Sequence, residues 1–382
     1  MCQPIVIGAR ALEMSLEITP KYINSNSIID VITPMLGADM PRKPTIIDIA
    51  RETGLGAATV DRVIHARPNV SERAKEQVAK AAQKLGYPLP MSLRALPNSS
   101  LPMLNLGFVL HKRGQAFYQN FAKEIEAACR ARRDVNIRAH IRFSASQSPD
   151  DFAKELRAAA ENCQAIAATA VNHSSLTRLA EELTGSGIPV FSMLNDFALS
   201  AGSGYFGLDN MKVGRLAGWM MATRLQSHCR VAVFIGGARW HGQAMRETGF
   251  RSYLREHAPR ISVLDTAVNL ETRQLTHEAT LDLLARTPDL AGLYVAGGGM
   301  EGAISALREA RPSDKITLIV NELTPDSSQG LADRYVTMVI ATPLQQLCAD
   351  LIDRMARHVL DPDGKHRNRA ELHPQLYLPE SV

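Results

Sequence analysis

The chain has 382 residues, enough for two or three domains at the usual ~100 to 200 residues each. Hydrophobic residues make up 45% and charged residues 21%, the balance of a core-forming globular protein, which excludes wholesale disorder, a collagen-like chain and a coiled-coil rod. No stretch approaches the ~18 to 20 uninterrupted apolar residues of a membrane span, and the first twenty residues lack the basic start, apolar run and small-residue cleavage site of an export signal. A cytoplasmic location without a membrane partner is therefore expected. Cys2, Cys129, Cys163, Cys229 and Cys348 are scattered and never form a Cys-x-x-Cys pair, so neither a disulfide framework nor a metal site is expected.

The formal net charge of +4 is unevenly spread. Residues 42–96 hold ten basic and five acidic side chains, whereas 97–382 hold 31 basic and 30 acidic. A local basic excess suits a polyanion, because clustered Lys and Arg gain free energy by displacing counterions from phosphates. The same excess would also suit a solvated helical surface.

In chain order, residues 1–40 show no sustained period, and Met35 and Met40 lie just ahead of the basic segment. The expectation is a disordered extension, or a start site placed too far upstream. Thr45 is placed to cap a helix from Ile46 to Thr53, Gly54 breaks it, and a second helix runs from about Ala57 to Ile64 with Val60, Val63 and Ile64 on one face. Ser71 caps a third, with Val78, Ala81, Ala82 and Leu85 at helical spacing before Gly86. Three short helices, two of them joined by a tight turn, make a helix-turn-helix domain over 41–90. Pro88, Pro90, Pro97 and Pro102 with Asn98, Ser99 and Ser100 mark a linker, so 91–102 reads as a hinge with room for one short helix at 91–96.

From residue 103 onward strands and helices alternate. Strands are expected at Leu104 to Leu110, Ala165 to Ala170, Pro189 to Leu194, Arg230 to Ile235, Ser262 to Ala267, Gly292 to Val295 and Ile316 to Val320. Helices are expected near Phe121 to Arg133, Leu176 to Thr184, Met245 to His257, Thr276 to Arg286 and Gly302 to Ala310. Such alternation builds a doubly wound parallel α/β architecture, with ligands beyond the carboxyl ends of the strands. Gly297-Gly-Gly-Met-Glu-Gly302 satisfies Gly-x-Gly-x-x-Gly between a strand and a helix, with Glu322 about twenty residues on, so a dinucleotide-binding enzyme is the rival reading. Against it, the fingerprint normally opens its domain. No Gly-x-Ser-x-Gly elbow or His-Glu-x-x-His pair is present, and His173, Ser174 and Ser175 read as a surface loop.

The stretch from Thr45 to Ser71, continued to Leu85-Gly-Tyr-Pro88, closely resembles the head of the lac repressor (LacI/GalR) family. That resemblance implies that the second helix enters the major groove of a near-palindromic DNA operator, with Ala57, Ala58, Thr59, Arg62 and His65 at reading positions. Thr45, Asn69, Ser71 and Tyr87 match further DNA-contacting positions. Asp61 departs from the family's usual Ser and places a carboxylate where it repels phosphate unless paired. Leu96 matches a hinge leucine that wedges into the minor groove, while Pro90 departs from the usual polar run.

Residues 103–382 resemble the family's effector-binding and dimerisation domain, itself similar to ribose-type periplasmic binding proteins. The resemblance implies two sub-domains that close on a ligand, three chain crossings between them, a homodimer, no cofactor, and a small polyhydroxylated effector such as a sugar. It places Phe117 and Tyr118 at the stacking position, Arg246 as guanidinium, Glu322 as carboxylate, and Asn195 or Asp196 after the third strand, with Asp209 and Trp240 as additions. Where many relatives carry an Asn-Asp pair this chain has Gly297-Gly298, and Ala341 replaces a polar residue. Those losses imply a roomier pocket, backbone NH groups turned to the ligand, and a larger or more anionic effector.

Overall fold

The computed structural model of the protein describes residues 44–89 and 101–382, apart from Ala66, Asn69, 199–202, Asp363 and 365–371, with Glu72 described in its backbone only. The expectations for 1–40, Asn69, the 91–96 helix and Leu96 fall outside the described residues. The chain divides between Ser99 and Ser100 into two compact units.

In the first unit α1 (Ile46–Thr53), α2 (Ala57–Ile64) and α3 (Glu72–Leu85) occupy their predicted spans. Asp48 accepts hydrogen bonds from the Thr45 backbone N–H (2.8 Å) and hydroxyl (2.7 Å), tying down the first turn of α1. Gly54 ends α1 at φ +69°, a left-handed conformation that costs glycine little. Ser71 accepts a hydrogen bond from Ala74 N–H at 3.2 Å to start α3. Ile49, Val60, Val63, Ile64, Val78, Ala81 and Ala82 form a closed core.

The second unit contains two mostly parallel sheets. β1 (Met103–His111), α4 (Ala116–Ala131), β2 (Asn136–Ser144), α5 (Pro149–Ala160), β3 (Ala165–Ala168), α6 (Ser174–Gly185), β4 (Val190–Met193) and β5 (Tyr205–Phe206) form the first lobe. Its strand order is β2-β1-β3-β4-β5. The second lobe follows as α7 (Asn210–Arg224), β6 (Cys229–Ile235), α8 (His241–His257), β7 (Ile261–Val263), β8 (Ala267–Val268), α9 (Arg273–Arg286), β9 (Leu290–Val295) and α10 (Met300–Ala310). It continues through β10 (Thr317–Asn321), α11 (Pro325–Ala332) and β11 (Met338–Ala341). α12 (Leu344–Leu360) then packs back against α4, and β12 (Gln375–Tyr377) pairs antiparallel with β11. The chain thus passes between lobes after β5, after β11 and after α12, matching the expected three crossings.

Strand burial follows a period of two. Leu104, Leu106, Phe108 and Leu110 of β1 face one apolar core, while Val109 faces the other; in β6, Val231 and Val233 oppose Ala232 and Phe234. β2, α5, β5, α7 and everything after β10, namely α11, β11, α12 and β12, were not anticipated. β2 alternates strictly, with Ile137, Ala139, Ile141 and Phe143 packed on a core and Arg138, His140 and Arg142 between them, a period-two signal that the sequence reading passed over, whereas α7 buries glycines and exposes Trp219, which blurs its helical period. The segment expected as one strand from Ser262 to Ala267 is two short ones, β7 and β8, which both pair with β6.

α7 and α8 lie almost backbone to backbone. A Cβ on Gly214 would meet the Arg246 carbonyl oxygen, and one on Gly249 that of Met211. Gly214→Ala is therefore expected to cost about 1–3 kcal/mol of stability, measured as a lowered urea midpoint; an unchanged midpoint would mean that the helices are not seated so closely.

Candidate functional site

In the first unit the buried face of α2 leaves Ala57, Ala58, Arg62 and His65 exposed and Thr59 half-exposed on the other side. Asp61 does not stand bare among them. His65 Nδ1 lies 3.0 Å from its carboxylate and Arg67 Nη1 lies 3.5 Å from it, so the carboxylate that departs from the family pattern is paired. The same pairing holds the His65 ring against Asp61. Tyr87 packs half-buried against the head core, and the Thr45 and Ser71 hydroxyls serve the starts of α1 and α3.

In the second unit the carboxyl ends of the two parallel sheets face each other across a cleft holding about 730 Å³ of atom-free space, mouth included. Open parallel sheets leave their loops and helix N-termini at that end. Phe117, Tyr118, Asn195, Trp240, Arg246, Gly297 and Glu322 all line it. Asp196 and Asp209 do not. Asn195 follows β4 rather than a third strand, because β2 intervenes, and it points inward while its neighbour Asp196 lies outside the lining. The Asp209 side chain instead accepts a hydrogen bond from Lys212 N–H at 3.2 Å and caps α7.

Hydrogen bonds fix each inward group. Arg246, buried in α8, donates from Nε to Asn210 (2.7 Å) and from Nη1 to the Ala296 carbonyl (2.9 Å). Glu322 accepts from the Thr342 N–H (2.9 Å) and hydroxyl (2.7 Å). Burial raises its pKa, and the Arg246 charge opposes that rise. Asn195 spans the lobes: its Nδ2 donates to the Ala170 carbonyl at 2.6 Å, and its Oδ1 accepts from Gly242 N–H in the first turn of α8 at 2.9 Å. Lys112, at the end of β1, reaches across to the carbonyls of Leu270 (3.1 Å) and Glu271 (2.8 Å).

Backbone strain is concentrated here. Lys112, Leu194, Leu270, Glu271 and Glu322 account for five of the seven described non-glycine residues with positive φ, and each follows a strand that ends at the cleft. Such conformations cost of order 1–3 kcal/mol each and persist where surrounding contacts hold them.

The polar lining residues that sequence reasoning missed are Gln115, Thr169, Asn210, Gln243, Glu271, Glu301 and Asn321. Gln243 lies one helical turn before Arg246, and Asn321 directly precedes Glu322, so spacing offered a signal for those two. Glu271 sits in a loop between a two-residue strand and a helix, where no periodicity marks it.

The glycine turn is not the open space that the sequence suggested. A Cβ on Gly297 would collide with the Gln243 amide, and Gly298 N–H donates to Glu271 Oε1 at 3.2 Å. A Cβ on Gly302 would strike the Arg273 carbonyl oxygen. These glycines are needed for packing within the protein, so they carry no argument for a pyrophosphate. The lining lends no support to a more anionic effector, since Glu271, Glu301 and Glu322 stand there with Arg246 as the basic side chain. His173 likewise caps α6, accepting from Ser175 N–H at 3.3 Å.

Two family models match the chain: "Bacterial regulatory proteins, lacI family" over residues 45–88, and "Periplasmic binding protein domain" over 106–363. The chain belongs to the lacI family of bacterial regulatory proteins. Its large unit is a periplasmic-binding-protein domain, and as a member of the lacI family it is a helix-turn-helix, DNA-binding transcription regulator. It is 24% identical over 347 residues to the HTH-type transcriptional regulator DegA of Bacillus subtilis, covering 89% of this chain and 96% of that one. It is 23% identical over 266 residues to the HTH-type transcriptional regulator GalS of Salmonella typhimurium, covering 69% and 75%. Among solved structures it resembles GanP, a glucose-galactose binding protein from Geobacillus stearothermophilus, with a TM-score of 0.66 at 18% identity over 73% of this chain and 99% of that one. None of these supports a dinucleotide enzyme.

Beneath the cleft aromatics lies His111, buried against Tyr118, Phe152 and Trp240 with neither ring nitrogen partnered among the described residues. Burial, aided by the neighbouring Lys112 charge, holds its pKa down at about 3 from an ordinary 6.5. Between those values the unfolded chain binds a proton that the folded chain does not, so stability falls as pH drops through that window. His111→Phe is expected to flatten this part of the stability–pH curve in chemical denaturation; equal slopes for both proteins would show that His111 is not held neutral.

Proposed function

We propose that this lacI-family regulator is a homodimeric repressor that binds a near-palindromic operator and responds to a small polyhydroxylated effector. The observation that carries the effector reading is the cleft lining. Phe117, Tyr118 and Trp240 offer faces for the apolar side of a ring, while Asn195, Arg246, Asn321 and Glu322 stand around them with polar groups. Thr169 Oγ1 and Asn321 Oδ1 are buried there without partners among the described residues, and ligand hydroxyls would satisfy them. The likeness of the fold to GanP, a glucose-galactose binding protein, agrees with this reading.

DNA recognition rests on Arg62 as the charged group of α2 that reaches outward, with Ala57 and Ala58 offering apolar contact and His65 held by Asp61. Asn69, Leu96 and the backbone around Thr45, Ser71 and Tyr87 complete the proposed interface. Two heads reading two half-sites require two chains. An effector that touches both lobes favours the closed cleft, and its influence on the operator is set by its differential affinity for the DNA-bound and free states.

Arg62→Ala is expected to abolish operator binding in fluorescence anisotropy while leaving effector binding in calorimetry intact, and Arg246→Ala to do the reverse. The operator is obtained by selecting bound duplexes from a random pool with the full chain, with affinity falling steeply as salt rises. Equal damage to both activities by either substitution, in a folded protein, would refute this division of roles.

A further inference from the structure

Resting on the polyhydroxylated-effector reading, we propose that the effector also carries a protonated amine, as in an amino sugar or aminocyclitol.

The cleft is short of positive charge. Glu271, Glu301 and Glu322 line it, and Arg246 is the basic side chain among them. Arg246 already donates to Asn210 and to the Ala296 carbonyl. Lys112 approaches Glu271 Oε2 only to 3.7 Å and spends its hydrogen bonds on the carbonyls of Leu270 and Glu271. Glu301, in the first turn of α10, has no ion-pair partner within 4 Å among the described residues. An ionised carboxylate facing an enclosed site is costly unless a positive charge meets it. A sugar hydroxyl can donate to it without neutralising it; an ammonium does both.

The unpartnered buried atoms point the same way. Asn321 is 1% exposed, and its Nδ2 donates to the Ile340 carbonyl at 3.2 Å, which fixes the amide so that Oδ1 is the free end. Glu271, 6% exposed, has Oε1 occupied by Gln243 Nε2 at 2.7 Å and leaves Oε2 without a hydrogen bond. Asn321 Oδ1 has no partner among the described residues and Glu271 Oε2 faces only the Lys112 ammonium at 3.7 Å, beyond hydrogen-bond reach; both are acceptors, so the missing partner is a donor. The faces of Trp240, Tyr118 and Phe117 in the same lining also attract a cation. Conversely, a carboxylate or phosphate would meet three carboxylates, and the Gly298 N–H that could have greeted it already donates to Glu271. Burial raises the pKa of Glu301 and Glu322, a shift that an adjacent ammonium would reverse.

The test uses the full chain at pH 6.5 and low salt, with matched probes in titration calorimetry: D-glucose and D-glucosamine, D-galactose and D-galactosamine, myo-inositol and its monoamino analogue. The expected result is that, in a pair that binds, the amine binds at least tenfold more tightly. Glu301→Gln is expected to cut that preference severalfold, with its fold verified by thermal unfolding. A neutral member that binds as tightly as its amine, or tighter, overturns the proposal while leaving the polyhydroxylated reading intact. A preference that survives both Glu301→Gln and Glu271→Gln also overturns it. Binding of neither member in every pair overturns both readings together. The comparison of paired probes on the unaltered protein stands even if a variant does not fold.

Discussion

The seating of α8 against α7 is the contact on which the cleft depends. Gly214 and Gly249 allow the two backbones to meet with no room for a Cβ, and that approach sets the height and rotation of α8. Trp240 caps this helix, Gln243 follows within its first turn, and Arg246 lies one turn further along the same face. Three lining groups are thereby placed by one helix–helix contact. The Arg246 guanidinium is then locked by Asn210, the first residue of α7, so the partner helix supplies both the seat and the hydrogen bond.

The opposite wall of the cleft is held by polar links between lobes. Asn195 joins the end of β4 to the first turn of α8, and Lys112, Gln115 and Gln147 all donate to the carbonyls of the Leu270–Glu271 turn. That turn carries two consecutive residues at positive φ, a conformation sustained by these donors and by the Asn269 side chain, which accepts from Glu271 N–H. Strain and cross-lobe hydrogen bonds thus occupy the same few residues. A closed cleft keeps them satisfied, whereas opening would expose carbonyls that have lost their donors, so lobe closure and the state of this turn are coupled.

Much of this organisation was legible in the residues themselves. The head was marked by Thr45, Gly54, Ser71 and Gly86, because caps and left-handed turns are local events written in one or two side chains. Buried strands such as β6 and β9 were marked by short apolar runs. β2 was equally legible, since Ile137, Ala139, Ile141 and Phe143 alternate with polar residues, and it was passed over; α7 was hidden because Gly214 and Gly218 stand on its buried face while Trp219 is exposed on the other, which blurs the helical period. Asp209 and Asp196 were plausible as polar residues in a ligand-bearing region, yet one caps a helix and the other lies outside the lining.

The sequence by itself determined the helix-turn-helix head and the alternating architecture, because each rests on local propensity or on a run of residues with its own signature, while Arg246 and Glu322 came from the family resemblance of the segments that carry them. Only the tertiary structure decided what surrounds them. Gln243 and Glu271 fill the space that the glycine turn seemed to leave open, His65 and Arg67 pair Asp61, and Glu271, Glu301 and Glu322 converge from segments far apart in the chain. The sign of the charge in a pocket is a sum over side chains brought together by folding, and no window of sequence contains that sum.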